Sequence, residues 1–229
     1  MKNRECYLCG EIFKNKKEWT KDHVPPKNLY LENNKPKNLK TLRACLSCNN
    51  KFALDEEYFL DLMIIMNAYR NPIAEEKMQE RSRVIKRKPA YHQRIKKALG
   101  LDDYASAGGL YLGKIHTMSI DYERRKIITE KIIRGLHYLK YQERIEGKID
   151  LYFPNDLYKP SKMSPVMPQT ILKEPNVKEV LSYLLHHPFN HCNCTDIFNS
   201  YGYKGEQDNK AITMWAITFY NYNLSIAFI

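Results

Sequence analysis

The chain has 229 residues, 43% of them hydrophobic, enough to bury a sizeable core as one elaborated domain or as a small module with a second unit. Its 37 Lys and Arg against 26 Asp and Glu give a formal charge of +11, which favours a polyanionic partner, and no lipid motif or amphipathic anchor competes as an explanation. The first residues carry no apolar signal core, and the greasiest stretch, around 60–66, is short and interrupted by Asp61, so the expectation is a cytoplasmic protein with no membrane role.

In chain order, the first feature is the pair Cys6 and Cys9, answered by a second Cys-x-x-Cys pair at Cys45 and Cys48. A two-residue gap lets both thiolates of a knuckle face one ion at about 2.3 Å. Four thiolates make a closed tetrahedron with no place for water or substrate, so a zinc here is expected to hold the fold. In a reducing compartment the six cysteines read as metal ligands or free thiols rather than disulfides. Between the knuckles, residues 7–14 and the region around Val24 are expected to be short strands, with Pro25 and Pro26 ending the second. Asp22 and His23 lie there, and directly after the second pair come Asn49 and Asn50, then Asp55, Glu56 and Glu57. An imidazole takes a proton from water near neutral pH, while a carboxylate and an amide carbonyl supply the hard oxygens that Mg²⁺ prefers. The loop 27–40 carries Lys27, Lys35, Lys37 and Lys40 opposed only by Glu32, and suits a phosphate backbone or plain solvation.

From Asn50 the pattern turns helical, with Phe52, Phe59, Leu62, Met63 and Met66 on one side until Pro72 stops it. Helices at 74–88 and 91–99 are basic: Arg81, Arg83, Lys86, Arg87, Lys88, Arg94, Lys96 and Lys97 follow one another without an acid between. They are candidate nucleic-acid contacts, with a solvated face as the plainer reading. Residues 102–109 read as a loop and 110–120 as a strand. A helix over 122–141 carries Ile128, Ile132, Leu136 and Leu139 and tolerates Gly135 at a cost of about 1 kcal/mol. A strand at 149–153 precedes a proline-rich linker, 154–175, and a helix at 176–185 capped by Asn176. Strands at 211–220 and 224–229 close a meander, with a turn at 205–209. His186, His187, His191, Cys192 and Cys194 form a tight group, read as free thiols and imidazoles rather than ligands. The organisation expected is therefore 1–71, 72–153, the linker 154–175, and a carboxyl-terminal α+β unit, 176–229.

The wording DHVPPKNLY, then NLKTLRACLSCNN, then DEEYF resembles a bacterial subfamily of HNH endonucleases, over the first quarter of the chain. The resemblance implies a ββα-metal fold with a four-cysteine structural zinc, His23 as the base that activates water, and Asp22 and Asn49 as ligands of a catalytic Mg or Mn ion. Its third letter is missing, because the next histidine after His23 is His92. Glu56 is expected in that role: seven residues after Asn49 on an unbroken helix, it returns to within about 20° of the same face. The expectation is an α+β protein, with an N-terminal zinc-stabilised ββα-metal (HNH) module followed by helices and a C-terminal antiparallel β-meander. It would be a metal-dependent endonuclease preferring DNA to RNA; the alternative is a zinc ribbon that binds nucleic acid without cutting it. The carboxyl-terminal unit is left as a scaffold, a homodimer contact or a dock for a regulatory protein, for instance in phage defence.

Overall fold

A β-hairpin opens the fold: β1 (Trp19–His23) pairs antiparallel with β2 (Thr41–Cys45), Trp19 opposite Cys45 and His23 opposite Thr41. The computed structural model describes residues 4–106, 108–153, 196–207 and 210–229. The expected strand at 7–14 is corrected to a folded-back turn, touching itself through a bridge between Glu5 and Ile12. The Cys6 N–H donates to the Glu11 carbonyl and the Gly10 N–H to the Cys6 carbonyl, both at 2.8 Å, so these groups are spent within the turn. The second strand falls just before Val24, and Pro25, which has no N–H to give a ladder, follows its end.

Helix α1 (Leu46–Lys51) leaves β2 directly, and α2 (Ala53–Asn67) continues after a break at Phe52. The one-sided apolar face expected here is also corrected. Every residue from Tyr58 to Ile64 is buried, Asp61 included, because α2 is surrounded rather than lying on a surface. Pro72 and Pro89, expected only to break helices, each occupy the first turn of one, α3 (Pro72–Lys86) and α4 (Pro89–Ala98), where a missing N–H costs nothing. Asn71 caps α3, accepting from the N–H groups of Ile73 at 2.9 Å and Ala74 at 3.1 Å.

Residues 102–109 are only partly a loop. Strand β3 (Leu99–Ala105) pairs with β4 (Tyr111–Met118), setting Asp103 opposite Lys114 and Asp102 opposite Ile115. Two adjacent aspartates are poor strand formers and hide the alternation in the sequence. Helix α5 (Tyr122–Tyr141) spans the stretch expected of it, starting on the Asp121 cap and stopping at Gln142 with φ 58°. The last sheet has the order β5-β8-β7-β6, all antiparallel, from β5 (Asp150–Tyr152), β6 (Phe198–Gln207), β7 (Lys210–Phe219) and β8 (Asn223–Phe228). The linker 154–175, the helix at 176–185 and the His186–Cys194 group lie outside the described residues.

The class is α+β. One buried cluster joins Val24 and Leu29 beside the first hairpin, Phe59, Leu62 and Met63 of α2, Ile128 and Ile132 of α5, and Trp215 and Phe219 of β7. Polar contacts bind the same parts: the Tyr220 hydroxyl donates to the Leu29 carbonyl at 2.8 Å, and Asn71 Nδ2 donates to the Tyr220 carbonyl at 3.3 Å. Among the described residues no helix is long and apolar enough to cross a membrane.

Candidate metal centre and active site

The ligand atoms of Cys6, Cys9, Cys45 and Cys48 all lie within 4.8 Å of one another. Four sulfurs each about 2.3 Å from one ion stand about 3.8 Å apart along the edges of a tetrahedron. Cys9 Sγ and Cys45 Sγ are 3.8 Å apart.

The local chain explains the convergence. Gly10 takes φ +78°, a conformation open to glycine, and turns the first pair inward. Cys45 ends β2 and caps α1, accepting the Cys48 N–H on its sulfur at 3.4 Å, which brings the second pair together. The Tyr7 N–H donates to the Arg43 carbonyl at 3.1 Å and ties the first turn to β2.

The thiols of Cys6, Cys9 and Cys48 differ in acidity, and burial raises that of Cys9 above its usual pKa. Burial raises the Cys6 thiol, but backbone N–H groups of Cys45, Cys9 and Leu8 outweigh it and bring the pKa below the usual value. Burial pushes Cys48 well up, helped by thiol contacts with Cys45 and Cys9 and by the charge of Cys6. Thiolates this close repel one another, and a dication removes the repulsion. The four cysteines fit a structural zinc, which would hold the turn and the hairpin together and leave no open coordination position.

Asp22 and His23, at the other end of β1, part company as neighbours on a strand do: Asp22 is buried and His23 half-buried. The Tyr7 hydroxyl donates to Asp22 Oδ2 at 2.7 Å, so the knuckle that carries Cys6 and Cys9 also fixes Asp22. Lys131 of α5 reaches the same carboxylate, its Nζ 2.9 Å from Oδ2 and 3.0 Å from Oδ1, and it also bonds Glu56. The Phe52 ring lies 5.3 Å from the ammonium. Burial raises the Glu56 carboxyl above its usual range, against the pull of Lys131.

The three acids after Asn49 thus diverge. Asp55 pairs with Arg124, Glu56 with Lys131, and Glu57 with Arg81 and Lys88. Glu56 is the one that turns toward Asp22, although the helix is interrupted at Phe52 rather than running unbroken from Asn49. What joins them is an ammonium. A Mg or Mn ion gripping both oxygens of Asp22 would have to stand in the fork where Lys131 stands, so the residues do not fit that ion while Lys131 is in place. Asn49 is a half-buried residue of α1, which packs on β1 and β2.

Burial lowers the His23 pKa below the ordinary imidazole value, and the charges of Lys27, Lys35 and Lys21 act in the same direction against Asp22. The ring is therefore neutral at pH 7 and able to take a proton. Of the eight basic candidates on α3, α4 and the junction between them, Arg83, Lys86, Arg87, Lys88, Arg94, Lys96 and Lys97 are exposed. Arg81 is not a free cation: its Nε donates to buried Asp61 at 2.7 Å, and its Nη2 reaches Asp61 and Glu57. Lys88, though exposed, pairs with Glu57 at 2.7 Å.

Sequence reasoning missed Tyr7 and Lys131. Lys131 had a signal, a charge on the apolar stripe of a helix, three residues after Ile128. Tyr7, between two knuckle cysteines, had none. The chain matches no protein-family profile, no curated protein and no solved structure.

Proposed function

We propose that this chain is an endonuclease, hydrolysing phosphodiester bonds of nucleic acid, DNA in preference to RNA, through an N-terminal ββα module of HNH type. It would act in the cytoplasm, where thiolates stay reduced and bind a structural zinc. The observation that carries the reading is half-buried, neutral His23 next in the chain to buried Asp22 at the end of β1, on a hairpin whose other end meets the four cysteines. A water beside His23 gives its proton to the imidazole as its oxygen attacks phosphorus in line with the bond to the 3′ oxygen, which breaks and leaves its electron pair on that oxygen. Lys21 and Lys27 supply positive charge near His23 that draws a polyanion to this end of the hairpin, whereas Lys35 is paired with Glu32 at 2.7 Å.

Plasmid nicking by zinc-loaded protein, with and without added Mg²⁺ or Mn²⁺, tests the reading. His23→Ala is expected to lose at least about 10²-fold in rate, the lower range for a general base, while its circular dichroism and zinc content stay unchanged. Undiminished cleavage by that variant would sink the assignment. A second reading is favoured by the ammonium in the Asp22 fork: a zinc ribbon that holds nucleic acid intact. Protein that shifts DNA in a gel but leaves it uncut under every ion condition decides for the second.

A further inference from the structure

We infer that Lys131 permanently takes the place that the HNH resemblance gives to the divalent ion, so that Asp22 is the counter-ion of a buried lysine and not an ion ligand in this chain. The inference rests on the nuclease reading for its choice of site, but not on whether the protein cuts.

The geometry is that of a cation seated in a carboxylate fork: Nζ lies 2.9 and 3.0 Å from the two oxygens of Asp22. The side chains of Lys131 and Asp22 are 2% and 6% exposed. Glu56 closes the other side of the ammonium and the Phe52 ring covers it. The Tyr7 hydroxyl uses a further lone pair on Asp22 Oδ2. A buried ammonium costs several kcal/mol unless paired and hydrogen-bonded, and a residue wanted only for packing on α5 would be aliphatic. Backbone placement reinforces the seat. Gly135, one turn after Lys131 on the same face, lies so close to Val24 that an added Cβ would stand 2.6 Å from its Cγ2, which lets α5 run against the chain just past His23.

The test is Mn²⁺ binding by zinc-loaded protein, read from the loss of the free-ion electron paramagnetic resonance signal. Wild type and Asp22→Asn are expected to bind Mn²⁺ equally weakly. Lys131→Met, which keeps the length of the stem and removes the charge, is expected to gain at least tenfold in affinity, and Asp22→Asn added to it should erase the gain. Lys131→Gln, able to hydrogen-bond both carboxylates, repeats the measurement if the Met variant does not fold. If neither folds alone, recovery of native circular dichroism on adding Mn²⁺ supports the inference and failure to recover overturns it. Wild-type binding that Asp22→Asn abolishes, or Lys131 variants that fold but bind no better than wild type, also overturns it. Cleavage is a separate readout. A protein that cuts nothing while Lys131→Met gains the site removes the nuclease reading alone, and one that cuts while binding Mn²⁺ through Asp22 removes the inference alone.

Discussion

His23 is held in its proton-accepting form by two forces of different reach. Partial burial acts through the lost hydration of the imidazolium, and the lysines act through charge. Because the folded pKa is depressed, the folded protein resists protonation. Stability tied to this group is whole at neutral pH and declines as pH falls through the unfolded value of about 6.5 toward the lower folded one. Cleavage that needs the neutral ring follows the folded value. The acid limb of a nicking rate against pH is therefore expected below about pH 6.5, an imidazole's ordinary value. Lys27→Met, which removes the first of the opposing charges, should move that limb upward. A limb at the same pH in both proteins would show that the base is another group. At this scale the sequence was legible where chemistry repeats at short range: two Cys-x-x-Cys pairs announce four sulfurs around an ion. It was silent on the hydrogen bonds that join Tyr7, Asp22 and Lys131, because the lysine that completes them arrives 109 positions after the aspartate.

Helices and hairpins were read from periodicity, which reports local preference and not surroundings. The stretch 122–141 is a helix as its apolar spacing requires, yet spacing alone makes Gly135 a blemish, whereas in the fold it is a packing surface. Replacing it with alanine ought to gain about 1 kcal/mol of helix propensity. The added methyl meets Val24 at both γ-carbons, and overpacking of that kind costs about 1–3 kcal/mol. Gly135→Ala is accordingly expected to melt below wild type, and a higher melting temperature would mean that α5 does not lie tightly against Val24. The hairpin and first turn carry a second prediction. Zinc analysis should give one ion per chain, and Cys48→Ser should lose the ion and melt earlier, since the binding free energy of such a site is folding free energy. Full zinc with unchanged melting in that variant would place the ion elsewhere. Strand β3 was not legible, because its aspartates look like loop residues until β4 supplies a partner opposite each.

At the scale of the whole molecule, an excess of positive charge is a statement about partners only for the cations left facing water. Arg83, Lys86, Arg87, Arg94, Lys96 and Lys97 remain so, while Arg81 anchors α3 to the buried Asp61. Neutralising three of these exposed cations is expected to flatten the slope of log affinity against log salt by roughly 0.9 for each duplex phosphate that the protein ceases to neutralise. Arg81→Gln should leave that slope alone and lower stability by about 3–5 kcal/mol in urea unfolding, the usual cost of leaving a buried charge without its partner. A flattened slope with unchanged stability would reverse that assignment. The hydrogen bond from Tyr220 to Leu29, and the burial of Phe219 against Phe59, carry a lesson for anyone wishing to borrow the N-terminal hairpin of this protein. The first 71 residues are not a detachable cassette. Cut free, they would show water the apolar wall of α2 that the last strands now cover, so grafting this hairpin and its cysteines onto another carrier means supplying a substitute for the final sheet as well.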